Sequence, residues 1–443
     1  MGLAWCAVLW FAQLIEEAQR LAWQKHFAAA EKLYRQVLRS DPASRDAKFG
    51  LAQVLLWEGQ YAEARRLFKS LKGADAAEGA ATAAYWQGDF RTASREFAAI
   101  DRPFSRQSLA QIRSASAGDV RATVEALDDN QPYRAWRSSV TVSSFSDPLT
   151  RWDVSAGGYG LHNIDRGITH TEPFVTATNA LVLPWQRLTI TTSAGAIRYP
   201  DGKTGPIGGL TLSRKLSSNS SLTISGDHRE LLTNATAIDT HASVTRFAAG
   251  WSRYIARGWL AGVEAGHNSY FDHNSGNYAQ GYALWPIVKR GRTTFWAGGS
   301  AAVRNTGETR FELDAVSSVR TSNFFSYSYR GSYRGYWTPR DFSEARAIVS
   351  IAQTFPKDAE LKAQIEGGVG RDEARAFGPA SGTSPLPHNI FVIDFHRTFH
   401  PYRLSAGLSM PVATAYRIQV DIERSVTVFY AANAFRASLV RHR

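Results

Sequence analysis

The stretch Tyr416-Arg-Ile-Gln-Val-Asp-Ile-Glu423 decides how the C-terminal part of this chain is interpreted. In an extended chain, successive side chains point to opposite faces. One face of this stretch carries Tyr416, Ile418, Val420 and Ile422, and the other carries Arg417, Gln419, Asp421 and Glu423. An apolar face backed by a charged face is typical of a strand that separates a greasy surface from water.

The same alternation recurs from Trp136 to the end of the chain, in segments of about ten residues separated by turn residues. Leu361 and Ile365, for example, alternate with Lys362 and Gln364. Strands of soluble proteins average about five or six residues, whereas a tilted strand needs about ten to cross a bilayer. We therefore predict an antiparallel outer-membrane β-barrel over residues 136–443, with about sixteen strands and fourteen or eighteen as alternatives.

The N-terminal part repeats a different pattern, in which an aromatic residue, alanine and a second aromatic residue are spaced for one helical face. A glycine precedes two of these triplets by two residues, where helices must turn. The residues are Phe27, Ala30, Tyr34, Gly59, Tyr61, Ala64, Phe68, Gly88, Phe90, Ala93 and Phe97. The spacing resembles the tetratricopeptide repeat, a helical repeat that packs these residues in its core. We predict such repeats over residues 1–127, with a last helix over Arg106–Leu127 and a linker over 128–135.

Charge and cysteine content exclude several classes of protein. The 51 Lys and Arg exceed the 39 Asp and Glu, and the surplus lies in the strand-rich part, where it favours anionic partners. Its arginines are scattered singly, so no nucleic-acid partner is expected. The single cysteine, Cys6, excludes an intrachain disulfide framework. The apolar run Leu3–Ile15 is a truncated signal peptide or, in our preferred interpretation, the first repeat helix.

The segment Tyr336-Trp337-Thr338-Pro339-Arg340-Asp341-Phe342 resembles a motif in the barrels of exopolysaccharide exporters, namely the outer-membrane component of the bacterial cellulose synthase system and its relatives. In size, the chain is most similar to smaller barrels with a few repeats, which resemble the YaiO-type outer-membrane proteins. The resemblance implies periplasmic repeats before a barrel in the bacterial outer membrane. It also implies export of a polysaccharide such as cellulose or a related glycan, with periplasmic or inner-membrane synthase components docked on the repeats.

A glycan path requires a wet lumen lined by hydroxyl, amide and guanidinium groups. The candidate path residues are Asp227, Arg229, Ser326, Ser328, Arg330, Ser332, Arg334, Tyr336, Arg417, Gln419, Asp421 and Glu423. Arginine binds carboxylates in a bidentate manner, so the arginine surplus favours an anionic glycan. Mutual pairing of charges on neighbouring strands explains the same residues equally well.

Two other functions stay open at this stage, a general porin and an outer-membrane hydrolase. Asp394 and His396 could begin a hydrolytic site, but no serine is tied to them by spacing, so no enzyme is expected. His396 and His400 lie on a predicted strand, about 13 Å apart, too far to share a metal ion. No cofactor is expected. We expect the short joins at 184–186 and 216–218 to be periplasmic turns and the longer joins at 163–171, 231–241 and 371–388 to be extracellular, the last as a plug or lid.

Overall fold

The computed structural model describes residues 2–442 apart from 130–132, 165–166, 218, 233–234, 256–258, 322–323, 334, 379–389 and 429. Its N-terminal part consists of helices α1 (Gly2–Trp23), α2 (Phe27–Ser40), α3 (Arg45–Trp57), α4 (Tyr61–Lys69), α5 (Ala74–Gln87), α6 (Phe90–Ala98) and α7 (Pro103–Ala115). We call residues 2–117 the helical unit. None of its described helices is both long and apolar enough to span a membrane.

The repeated triplets form the second helix of each helical pair, which explains their spacing. Ala30, Ala64 and Ala93 are completely buried. Alanine lets the neighbouring helix approach closely. A Cβ atom on Gly79 of α5 would lie only 2.7 Å from the ring of Phe68, so this glycine makes room for the aromatic residue of the preceding repeat.

The strands follow in an antiparallel order. They are β1 (Asp119–Asp129), β2 (Tyr133–Asp147), β3 (Thr150–Asn163), β4 (Ile168–Leu183), β5 (Leu188–Arg198), β6 (Thr204–Ser217), β7 (Ser220–Glu230), β8 (Ser243–Ile255), β9 (Trp259–Tyr270), β10 (Ser275–Arg290), β11 (Thr293–Thr306), β12 (Phe311–Thr321), β13 (Phe324–Tyr333), β14 (Arg340–Thr354), β15 (Glu360–Gly378), β16 (Phe391–Phe399), β17 (Tyr402–Ala413), β18 (Tyr416–Val426) and β19 (Ala431–His442). A short helix, α8 (Ala235–Asp239), lies between β7 and β8.

The sheet closes on itself because β1 pairs with β19, from Asp119 opposite His442 to Asp129 opposite Ala432. β16 and β17 both pair with β15, one after the other, so they form a single strand of the ring interrupted at His400 and Pro401. Proline has no backbone N–H to donate to a sheet. The ring therefore has sixteen strands, which confirms the predicted fold and strand number.

The barrel begins earlier than predicted. Residues 119–129, assigned from the sequence to a helix and to the start of a linker, form β1 and pair with both β2 and β19. Exposed Val124 and the ion-paired Glu125 lie on opposite faces of β1, as strand alternation requires. Helix α7 ends at Ala115. The segment predicted as a linker, 128–135, contains the end of β1 and the start of β2, and its residues 130–132 lie outside the described part.

The hydrophobic pattern of the barrel is inverted relative to that of a soluble protein. Ile365 and Ile422 are 61% and 54% exposed on the outer face. Their sequence neighbours Gln364 and Asp421 face the interior and line its cavity. An apolar outer face on a closed sheet is the arrangement that a lipid bilayer stabilises.

Strand order defines two ends of the barrel. We call the end at which β1 begins and β19 ends the terminal end, and the opposite end the far end. The joins at 184–186 and 216–218 lie at the terminal end, and those at 163–171 and 231–241 lie at the far end. Of the join at 371–388, residues 371–378 belong to β15 and the remainder lies outside the described residues.

Candidate functional site

A cavity of about 990 Å³ lies inside the barrel beside the wall formed by β1, β2, β14, β15, β17, β18 and β19. Its lining combines hydroxyl and amide groups, such as those of Ser405, Ser409 and Gln419, with charged side chains. This is the wet interior that strand alternation predicts, because polar side chains have only the lumen in which to be hydrated.

The basic side chains of the cavity are paired with carboxylates on the same or neighbouring strands. Arg403 contacts Glu423 at 2.7 Å, and Lys362 contacts Glu360 at 3.1 Å. Glu125 accepts from Arg436 at 2.6 Å and lies 3.8 Å from Arg137. Most of the positive charge of the cavity wall is therefore neutralised by carboxylates of the same wall.

Asp421 is different, because its carboxylate accepts a hydrogen bond from the neutral amide of Gln419, at 3.0 Å. Within the described residues, no cation lies within ion-pair distance of Asp421. Arg417, the remaining predicted residue of β18, donates to the Ser409 hydroxyl at 3.0 Å. The cavity consequently has no surplus of positive charge, although the sequence has one.

The opposite wall of the lumen carries a second polar network. Asp227 accepts a hydrogen bond from Arg246 at 2.8 Å and lies 3.8 Å from Arg229. The Tyr278 hydroxyl donates to Glu264 at 2.9 Å. These contacts place two further predicted residues, Asp227 and Arg229, on the inner face of β7.

Residues 231–232 and 235–242, the described part of the segment between β7 and β8, pack inside the far end of the barrel. Ile238 of α8 is 1% exposed and packs with Leu161 of β3 and with Leu232. Two histidine contacts hold the segment to its neighbours: His241 lies 3.2 Å from Asp201, and His170 lies 3.9 Å from Asp239. We call residues 231–242 the inward loop. From the sequence we predicted an extracellular join here and a plug or lid at 371–388, of which residues 379–388 lie outside the described part.

Glu172 of β4 lies in the same region and is completely buried. Within the described residues, neither of its carboxylate oxygens has a hydrogen-bond partner. Burying a carboxyl group without a partner is costly. The sequence gives no signal for this, because Glu172 stands among ordinary strand residues.

Several predicted path residues lie away from the barrel wall. Ser326, Ser328, Arg330 and Ser332 belong to β13, which pairs only with β12 in a separate two-stranded sheet at the far end. Period-two alternation is the same in such a hairpin as in a barrel strand, which is why the sequence predicted a lumen position. Arg334 lies outside the described residues.

Tyr336, also predicted to line the path, is a buried anchor at the base of this hairpin. Its ring stacks on Tyr270 with centroids 3.9 Å apart, and its hydroxyl donates to Asp272 at 2.9 Å. Arg310 donates to the same carboxylate at 2.6 Å. Thr338 accepts from the backbone N–H of Arg310 at 2.9 Å. The motif at 336–342 therefore ties the hairpin to the rim of the barrel.

These contacts shift two pKa values at the rim. Burial opposes ionisation of Asp272, but hydrogen bonds from Arg310 and Tyr336 outweigh it and hold the pKa of this carboxyl below its ordinary value. Burial, together with the nearby Asp272, raises the pKa of the Tyr336 hydroxyl. The network is thus matched to an ionised Asp272 and a neutral Tyr336.

In the helical unit, the predicted repeat residues form the core and the turns. Tyr34, Phe68 and Phe97 are buried, and Phe27, Tyr61 and Phe90 pack against them at the partly exposed edge. Gly59 and Gly88 adopt φ values of 84° and 88° between paired helices, a conformation that glycine adopts without strain.

Comparison with known proteins supports both halves of this description. The tetratricopeptide repeat family matches residues 23–84. A bacterial polysaccharide outer membrane secretin shares the barrel fold with a TM-score of 0.52 at 9% identity, over 74% of this chain and 99% of that one. OccK5 of Pseudomonas aeruginosa gives a TM-score of 0.33 at 9% identity, over 74% and 98%. The Sgt2 repeat domain of Aspergillus fumigatus gives 0.21 at 18% identity, over 23% and 75%.

No curated protein matches the chain. The repeat match, the closed ring and its apolar outer face together identify the chain as an outer-membrane β-barrel protein with tetratricopeptide repeats.

Proposed function

We propose that the barrel is a pore through which a secreted polysaccharide leaves the cell. The observation that carries this proposal is the polar-lined cavity of about 990 Å³ in a barrel that is joined to a repeat domain. A passive pore has no evident use for a protein-docking module, whereas an export pore must be coupled to the machinery that makes its polymer. The secretin that shares the barrel fold supports the proposal, because its name describes it as a polysaccharide secretin.

The lining of the cavity favours an uncharged glycan over an anionic one. A polyanion would have to compete with Glu423 for Arg403 and with Glu125 for Arg436, both of which are already paired. The Ser405 hydroxyl lines the cavity and can bind sugar hydroxyls. Ser409 accepts from Arg417 and Gln419 donates to Asp421, which leaves the Ser409 hydroxyl proton and the Gln419 carbonyl oxygen for a glycan. The arginine surplus that favoured anionic cargo in the sequence therefore carries no weight inside the lumen.

The helical unit is proposed to lie in the periplasm and to dock periplasmic or inner-membrane synthase components. Tetratricopeptide repeats generally bind other proteins on their exposed helical surfaces. With this orientation the far end, including the inward loop, faces the cell exterior. The inward loop then acts as the constriction that exported chains must pass.

The same geometry makes a hydrolase the weaker alternative. Asp394, which with His396 was the candidate start of a hydrolytic site, accepts a hydrogen bond from Arg375 at 2.8 Å. Its carboxylate is therefore already paired with a cation. A general porin remains the nearer competitor, since any open lumen conducts small solutes. A general porin and a polysaccharide export pore differ in whether a glycan binds inside the lumen.

Single-channel recording in planar bilayers tests the proposal. We expect uncharged β-linked oligosaccharides to block the current reversibly, and acidic oligosaccharides of equal length to block it less. Replacing residues 232–241 by a short glycine-serine turn should raise the conductance, because the inward loop obstructs the lumen. A current that no oligosaccharide blocks, in either form of the protein, would favour a general porin and contradict the proposal.

A further inference from the structure

A set of exposed cations lies at the terminal end of the barrel, outside the lumen. Four arginines lie on outward-facing positions of barrel strands, and three further cations lie in the adjoining turns. All seven are exposed: Arg187, Arg214, Arg253, Arg290, Arg292, Lys357 and Arg441. We call this set the basic rim.

The basic rim continues the lipid-facing surface. Arg214 shares the outward face of β6 with the exposed Leu210 and Leu216, and Arg441 shares that of β19 with Phe435. Stacked Trp259 and Trp285, with ring centroids 5.4 Å apart, lie on strands at the same end. Such an aromatic girdle marks the level at which hydrocarbon gives way to headgroups.

The cations of the basic rim differ from most arginines elsewhere in the barrel, because none has a carboxylate within ion-pair distance among the described residues. Arg397 is held by Asp372 at 2.8 Å and Arg346 by Glu344 at 2.8 Å. Arg441, by contrast, contacts the ring of Tyr416, with its guanidinium carbon 5.9 Å from the ring centroid. Long cationic side chains at the edge of an apolar band extend toward the polar region and keep their charge there.

We infer that the basic rim binds the phosphate groups of anionic phospholipids in the adjacent leaflet. Charge complementarity and continuity with the apolar band favour this occupant, because a headgroup phosphate reaches the rim while its acyl chains cover the apolar face. With the repeats in the periplasm, as proposed above, the leaflet concerned is the periplasmic one. Seven exposed cations of the barrel are thereby assigned to membrane contact and not to cargo.

Tryptophan quenching by brominated lipids tests this inference in the full chain. The protein is reconstituted in phosphatidylcholine vesicles that contain phosphatidylglycerol, with either one of the two lipids brominated. We expect phosphatidylglycerol to be preferred, and the variant R214Q/R253Q/R290Q/R441Q to lose this preference by roughly tenfold. A control variant, R198Q/R371Q/R424Q, removes three cations at the far end and should keep most of the preference for phosphatidylglycerol.

A salt titration of the unmodified protein provides a second readout that does not depend on the variant folding. The preference should decline as ionic strength rises, because exposed charges are screened over about 10 Å at 0.1 M salt. No preference for phosphatidylglycerol in the unmodified protein, or equal losses in the two variants, would overturn the inference. Since no glycan is present, these outcomes are independent of the export proposal.

Discussion

The helical unit and the barrel bury opposite kinds of surface. In the helical unit, Tyr34, Phe68 and Phe97 lie inside, and charged residues such as Arg66 and Arg106 are exposed. In the barrel, Ile365 lies outside while the neighbouring Gln364 lines the lumen. The surrounding medium therefore determines which side is apolar, since both parts satisfy the same rule that apolar groups avoid water.

The largest expected effect tests the interior of the helical unit. Phe68→Ala removes a buried ring that packs against Gly79 and should lower the free energy of unfolding of this unit by about 3–5 kcal/mol. Helical circular dichroism during denaturant unfolding in detergent measures it. Ile365→Ala is the control, since the exposed side chain leaves no cavity. Comparable losses in both variants would remove the contrast between the two parts.

A charge on the lipid-facing surface tests the inverted pattern of the barrel. Ile365→Arg should destabilise the folded barrel in vesicles by about 2–4 kcal/mol. Gln364→Arg, one residue away on the lumen face, should change the stability little. Unfolding of the reconstituted barrel in urea is the measurement. A tolerated Ile365→Arg would mean that this face does not meet hydrocarbon.

The polar contacts that attach the far-end hairpin to the barrel, those of Asp272 with Arg310 and Tyr336, belong to neither apolar surface. Asp272→Asn should weaken hairpin attachment by about 1–3 kcal/mol, because it removes charge-assisted hydrogen bonds to Arg310 and Tyr336. Hydrogen exchange in β12 and β13 reports the change. Glu308→Gln, which removes the exposed second partner of Arg310, should have a smaller effect.

The same anchor should depend on pH in one direction only. The pKa of Asp272 is lower in the folded protein, so its contribution is complete above the ordinary value of about 3.9 and is lost as the pH falls through the folded value. The protection of the hairpin amides, that is, their exchange rate relative to the intrinsic rate at the same pH, should therefore fall at acidic pH in the unmodified protein and not in Asp272→Asn. An equal loss of protection in the unmodified protein and in Asp272→Asn would assign the pH dependence to other carboxyl groups.

The smallest effect concerns the paired charges of the lumen. A double-mutant cycle of Glu125→Gln and Arg436→Gln should give a coupling of about 0.2–1 kcal/mol, because both groups are reached by water. Urea unfolding of the single and double variants measures it. A coupling of several kcal/mol would show that the lumen is drier than its lining indicates.

The sequence predicted the repeats, the barrel and the strand number because each depends on a period that the residues display directly. Phe27, Tyr61 and Phe90 mark the helical repeat, and the stretch from Tyr416 to Glu423 marks the strand alternation. The boundary was misplaced because Ala122 and Ala126 also suit a helix. Strand pairing with β19, more than three hundred residues away, decides their structure.

The candidate site was predicted only in part, since alternation assigns a residue to a face but not to a sheet. Arg417, Gln419, Asp421 and Glu423 alternate with outward residues on a barrel strand, whereas Ser326 and Ser328 alternate just as well in the far-end hairpin. Charge counts have a similar limit. The charge count shows the arginine surplus but not which arginines are paired, because the pairing of Arg403 and the exposure of Arg253 depend on tertiary structure.

The seam between β1 and β19 determines the order in which the molecule can be made. Each helical repeat is built from sequence neighbours, so it can form while later residues are still being synthesised. The ring, in contrast, has two open edges until its last strand, ending at His442, meets Asp119. Open edges attract other strands. The barrel strands therefore stay exposed to incorrect pairing until closure of this one seam completes the ring.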